Sequence, residues 1–132
     1  ASDVYKRQVQ PVVSLDKILH AREIVKKVYV DERIEQYIAD IVFATRRPES
    51  YKMPEMKRYI SFGGSPRAGI NLALAGRTRA FLKHRGYVIP EDVRDVAYDV
   101  LRHRIGLTYE AEADNVTTDA IITEVINKVE VP

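Results

Sequence analysis

The sequence predicts an all-α fold, on three observations. Apolar residues recur at three- and four-residue intervals in five separate stretches. Each stretch opens on a capping residue or on a proline suited to a first helical turn. No run alternates polar with apolar residues over the length of a sheet strand. With 132 residues, 45% apolar and 30% charged, the chain can bury one core without disulfide or metal, so a single domain is expected.

The first nine residues, ASDVYKRQV, contain no long apolar run and read as an unstructured lead-in or an added remnant, outside a domain spanning residues 10–132. Leu15, Ile18, Leu19 and Val25 then mark one side of an amphipathic helix, with Asp16, Lys17, His20, Glu23 and Lys26 opposite and Ser14 as its cap. After an extended link at residues 28–30, Asp31 caps a second helix with the stripe Ile34, Ile38, Ile41 and Val42. Glu32 and Glu35 suit its positive end. Residues 46–61 hold two prolines and little periodicity and are expected to form a loop.

A third helix is predicted over residues 66–84, with Ser65 as N-cap, Pro66 in the first turn and Gly86 ending it. Its apolar residues fall on two sides, Ile70, Leu74 and Phe81 against Ala68, Leu72, Ala75 and Leu82, so neighbours are expected on both. After a second extended link at residues 87–89, the fourth helix opens with Pro90, Glu91 and Asp92 and carries Val93, Val96, Ala97, Val100 and Leu101. His103 and Arg104 suit its negative end, and Gly106 stops it. Beyond a polar turn at Asp114 and Asn115, the fifth begins near Thr117 or Thr118 and shows Ile121, Ile122, Val125, Ile126 and Val129.

Composition removes several function classes. A net charge of +2, from 21 Lys and Arg against 19 Asp and Glu, lacks the basic excess of a module that lives on phosphate backbones, so a nucleic-acid partner is not expected. Without cysteine there are no disulfides, thiolate zinc sites or cysteine nucleophiles, and a reducing cytoplasm suits the chain. No apolar stretch is long enough for a membrane span. The three histidines fall on different predicted helices without the i, i+4 pairing of a zinc site, and no metal site is expected.

The stretch FGGSPRAG at residues 62–69 has a chemical signature. Gly64 to Gly69 matches the first half of a P-loop, but Ile70 and Asn71 follow where Lys and Ser or Thr are needed, so this is no P-loop. Arg67 also stands where a nucleophile elbow needs its second glycine. In the first helical turn its charge opposes the macrodipole by ~0.3 to 1 kcal/mol. Two readings account for it: an exposed arginine whose penalty is screened, or a cation that meets an external anion together with the first-turn amides. The basic string Arg77, Arg79, Lys83, His84 and Arg85 likewise reads either as a solvated helix or as a binding patch.

The run FGGSPRAGINLALAGRTRAFLKHRGYVIPEDVRDVAYDVLRHRI resembles the C-terminal helical lid of MoxR-type AAA+ ATPases, which are related to magnesium-chelatase ATPase subunits. The resemblance rests on S-P-R-A at residues 65–68, G-Y-V-x-P-E-D-V at 86–93 and V-L-x-H-R-I at 100–105. Weaker similarity extends through YIADIVFATR at 37–46 to QPVVS at 10–14, and forward to V-x-V-P at 129–132. It implies a five-helix lid in which Arg67 is the sensor 2 residue, reaching the phosphates of ATP held by the P-loop of a preceding α/β core. Gly64, Ser65 and Pro66 would shape that contact, and Tyr37 and Ile38 would line the adenine.

The resemblance further implies ATP and Mg²⁺ as cofactors of a full-length hexameric ATPase, with its own core and neighbouring subunits as partners and a chaperone-like duty toward a client complex. The Walker A and Walker B segments are absent from this sequence, so an excised lid is expected, inactive alone and with negligible ATP affinity. Residues 10–14 would be its hinge. The alternative is a stand-alone helical module that binds nucleic acid or an acidic protein through the basic third helix.

Overall fold

A computed structural model describes residues 8–132; residues 1–7, most of the expected lead-in, lie outside the described residues. Four of its six helices are α1 (Leu15–Val25), α2 (Glu32–Arg46), α3 (Pro66–Leu82) and α4 (Pro90–Leu101), followed by the short α5 (Tyr109–Ala113) and α6 (Thr118–Lys128). A two-stranded antiparallel sheet joins β1 (Ile60–Phe62) to β2 (Gly106–Leu107), pairing Ile60 with Leu107 and Phe62 with Gly106. The domain is thus helical, as expected. The one helix beyond the five expected, α5, escapes notice in the sequence because one turn carries no periodicity and buries only Ala111.

Side-chain caps start α1, α2, α5 and α6. Ser14 accepts from the Lys17 N–H at 3.2 Å, Asp31 from Arg33 at 2.8 Å and Thr117 from Ala120 at 3.1 Å, each satisfying a first-turn donor. The core gathers Tyr37, Ile41, Leu72, Val93, Leu101, Ile121, Ile122 and Val125 from α2, α3, α4 and α6. Residues 46–61 are more ordered than a loop. They form two 3₁₀ turns, Pro48–Tyr51 and Pro54–Arg58, each opening on a proline, and bury Met53 completely between them. The two extended links meet as an isolated parallel bridge, in which the Tyr29 N–H donates to the Gly86 carbonyl and the Val88 N–H to the Tyr29 carbonyl, both at 2.9 Å.

The central helix α3 makes its most extensive contact with α4. It buries Ala68, Leu72, Gly76 and Ala80, a strip of mostly small residues at four-residue spacing that lets neighbouring elements come close. Ile70, Leu74 and Leu82 remain exposed, so part of its predicted apolar surface has no neighbour among the described residues, and Leu15, Ile18 and Leu19 of α1 are exposed likewise. Helical spacing reveals an apolar face, not what covers it.

The glycines expected to stop α3 and α4 act differently, since no described glycine has a positive φ. The left-handed residue after α3 is His84, with φ 61°. Its N–H donates to the Phe81 carbonyl and that of Arg85 to the Ala80 carbonyl, both at 2.9 Å, which completes a Schellman end. Gly106 lies within β2, where a Cβ would stand 2.6 Å from Cδ1 of the exposed Phe62 ring, so any other residue there would require that ring to swing aside. His84→Gly is expected to raise stability by about 0.5 to 1 kcal/mol in urea unfolding, because glycine enters this region without a Cβ penalty; an unchanged or lower midpoint would count against that assignment.

Candidate functional site at the start of α3

The glycine turn is seated on the end of α2. The Thr45 side chain is fully buried; its hydroxyl donates to the Val42 carbonyl at 2.6 Å and accepts from the Gly64 N–H at 2.9 Å. Gly63 lies so close to the same residue that a Cβ would stand 2.6 Å from the Thr45 carbonyl carbon and 2.8 Å from the Arg46 nitrogen. Both are backbone atoms, which no change of rotamer moves aside. The glycines therefore bring two backbone segments together, and that contact determines where α3 begins.

Ser65 is the extended residue before α3, with φ −86° and ψ 173°, and Pro66 occupies the first turn. Ser65 makes no side-chain cap bond, in contrast to Ser14, Asp31 and Thr117. The positive end of α3 lacks the oxygen those helices receive. Arg67 is exposed on that turn, and among the described residues it joins no ion pair. Phe62 and Ile70 flank it in sequence and are exposed by 62% and 67%. A guanidinium with no carboxylate partner, at an uncapped positive helix end, suits an anion and repels a metal ion.

A shallow hollow of about 390 Å³ runs between α2 and α3 next to this turn, lined by Ile38, Val42, Phe43, Arg46, Pro66 and Ile70 among others. Gly64, Ser65, Pro66 and Arg67 thus share one turn, and Ile38 borders the hollow beside it. Tyr37 does not join them. It is only 1% exposed, lines a different hollow with Arg33, Gln36 and Asp40, and has a hydroxyl without a protein partner. Adjacent residues on a helix point about 100° apart, so Tyr37 and Ile38 belong to different surfaces. Thr45 and Gly63 were missed as site residues. The ATR segment contains the first, but its hydroxyl bond to a turn nineteen residues away leaves no mark in local sequence.

The basic string on α3 is largely engaged within the domain. Arg79 and Arg85 pair with Asp92, Arg79 also pairs with Asp95, and the Arg77 Nε donates to the Val28 carbonyl at 3.1 Å. What remains is no one-sided stripe. A larger and more open hollow, about 970 Å³, lies between α3 and α4 and is lined mainly by Leu74, Leu82, Val96 and Val100 with His103. Among the described residues, no three His, Cys, Asp or Glu side chains form a group that could hold a metal ion, and no helix is long and apolar enough to cross a membrane.

Comparison with known proteins bears on the family and the fold. The family model described as AAA lid domain matches residues 55–125. Chaperone MoxR1 of Mycobacterium tuberculosis is 39% identical over 125 residues, which cover 95% of this chain and 33% of that protein. Protein MoxR of Methylorubrum extorquens is 35% identical over 94 residues, 67% of this chain and 27% of that protein. A crystal structure of a candidate ATPase from Cytophaga hutchinsonii superposes with a TM-score of 0.89 at 45% identity, covering 95% of this chain and 38% of that one. The chain spans about a third of the length of the relatives it matches.

Proposed function

The chain belongs to the AAA lid domain family, of the kind found in MoxR proteins, and on that premise we propose that it is the lid of an ATP-hydrolysing AAA+ ATPase with Arg67 as its sensor 2 residue. The observation that carries this reading is the exposed Arg67, without an ion pair among the described residues, on a helix start that receives no side-chain cap. An arginine that contributes nothing to its own helix has a use when a polyphosphate is brought to it by another module. The Mg²⁺ ligands and the P-loop belong to the α/β core. Bound ATP supplies the scissile phosphoanhydride and the charge that these groups recognise.

In this reading the lid rotates on residues 10–14 when nucleotide is held by the core. Arg67 then donates from its planar guanidinium to phosphate oxygens, and the first-turn amides of α3 add to the positive field there. Ile38 and Pro66 present an apolar surface on the same side, which suits the base end of the nucleotide. The closure is transmitted to neighbouring subunits of a hexameric ring, and the work done is chaperone-like maturation of a client complex, in line with the name of the mycobacterial relative, Chaperone MoxR1. Engagement of Arg77, Arg79 and Arg85 inside the domain leaves the stand-alone binding module without a supporting observation.

The test is ATP turnover of the full-length protein with Arg67→Ala. Loss of most turnover with the fold intact supports the reading. Unchanged turnover defeats it.

A further inference from the structure

We infer that Thr45 is a positioning residue for Arg67, a latch that sets the angle and starting point of α3 through the glycine turn. The inference rests on the sensor reading above and extends it to a residue that has no contact with nucleotide. Thr45 belongs to α2 and Arg67 to α3, with both 3₁₀ turns and β1 between them in sequence. Along the chain, Arg67 is therefore held only through an irregular path. The side chain of Thr45 shortens that path, because its hydroxyl bonds to Gly64, three residues before Arg67.

The chemistry at this contact is specific for a hydroxyl. Its proton is committed to the Val42 carbonyl at 2.6 Å, which turns an oxygen lone pair toward the Gly64 N–H at 2.9 Å. One buried atom thus serves a helix-end carbonyl and a turn amide at once, and Gly64 is itself buried, so water is not at hand to replace it. Valine has the same shape but neither donor nor acceptor, whereas serine keeps both. Gly63 holds the latch from the other side, since its lack of a Cβ allows the turn to seat on the Thr45 backbone. If α3 started at a different angle, the guanidinium at the end of a long side chain would move farther than the turn does, and an oriented cation loses effect steeply when misplaced.

The experiment compares Thr45→Val, Thr45→Ser and Thr45→Cys in the full-length protein, alone and combined with Arg67→Ala. The readouts are Gly64 amide exchange and affinity for ATP and for AMP. Thr45→Val is expected to speed Gly64 exchange by about tenfold or more and to weaken ATP about three- to tenfold with AMP unchanged, while Thr45→Ser stays within about twofold of the parent on each. In the Arg67→Ala background, Thr45→Val should shift ATP affinity by less than about twofold, the signature of two residues acting through one contact. Should Thr45→Val destabilise the lid too far for measurement, Thr45→Cys, whose thiol is a weak donor and weak acceptor at the same position, carries the same expectations at smaller size.

Equal weakening of ATP with and without Arg67, or unchanged Gly64 exchange, overturns the latch while leaving the sensor reading intact. If Arg67→Ala itself leaves ATP affinity unchanged, the sensor reading fails, and the latch has nothing to position.

Discussion

Arg67→Ala in the full-length protein is expected to lower ATP turnover at least about tenfold, a loss of ~1.4 kcal/mol or more of transition-state stabilisation. Stability should not fall with it. The side chain is exposed, joins none of the ion pairs among the described residues, and opposes the dipole of its own helix. Its removal should leave the unfolding midpoint unchanged or slightly raised, since relief of that repulsion is worth ~0.3 to 1 kcal/mol at most. Arg67→Lys should fall between, because an ammonium keeps the charge but loses the planar fork that meets two phosphate oxygens together. A variant that lost turnover and stability in parallel would mark Arg67 as a structural residue.

The largest effect on stability is expected from Asp92→Ala. This carboxylate is fully buried and accepts from Arg79 at 2.5 Å, from Arg85 at 2.6 and 2.7 Å and from the Ile89 N–H at 2.9 Å. It joins the second half of α3, the residues beyond its end and the first turn of α4. Ile89 has no oxygen to cap α4, so Asp92 alone supplies the side-chain half of that cap by reaching back to its N–H. Removing the carboxylate leaves Arg85 unpaired and Arg79 with only the half-exposed Asp95, both guanidinium groups being only about one-fifth exposed, together with an unsatisfied amide. The expected cost is about 3 kcal/mol or more, read as a lower urea midpoint at neutral pH. A change below about 1 kcal/mol would show that the cluster is as weak as surface ion pairs.

Acid should act through the same carboxylate. Burial pushes its pKa upward, but Arg85, the Ile89 N–H and Arg79 together outweigh burial and hold it below the ordinary aspartate value of 3.8. A folded-state pKa depressed below the unfolded one contributes stability that is fully present above about pH 3.8. That contribution falls away as pH drops from there through the lower folded-state value. Asp92→Asn should therefore flatten this acid limb while already lowering stability at neutral pH.

Much of this domain is legible in its sequence, wherever a local rule operates. Ser14, Asp31 and Thr117 mark helix starts because a short side chain facing a first-turn amide is a local interaction. The buried stripes of α2, α4 and α6 follow from spacing. What escapes notice depends on contacts between distant residues. β1 and β2 are three and two residues long and are strands only because they meet. Met53 is buried by neighbours that the prolines around it do not announce. Gly106 faces an aromatic ring rather than a left-handed turn, while His84 occupies a position at which composition points to glycine.

At the candidate site the same division holds. Arg67 stands out from sequence because its charge conflicts with its own helix, and the position of Ser65 and Pro66 follows from cap chemistry. Thr45 does not, since Ala44–Thr45–Arg46 reads as packing plus a helix-end cation until the fold brings Gly64 to its hydroxyl. Tyr37 and Ile38 are neighbours in sequence, and only the packing around α2 assigns one to the interior and the other to the edge of the hollow beside Pro66.

The proposed contact between Arg67 and the terminal phosphates is tested most directly by titrating the full-length protein with ATP and with AMP, before and after Arg67→Ala. A charge-assisted hydrogen bond to those phosphates predicts ATP binding weakened about tenfold or more with AMP binding unchanged, since AMP lacks the groups Arg67 would hold. Equal affinities for ATP before and after the substitution, or equal losses for both nucleotides, would contradict it.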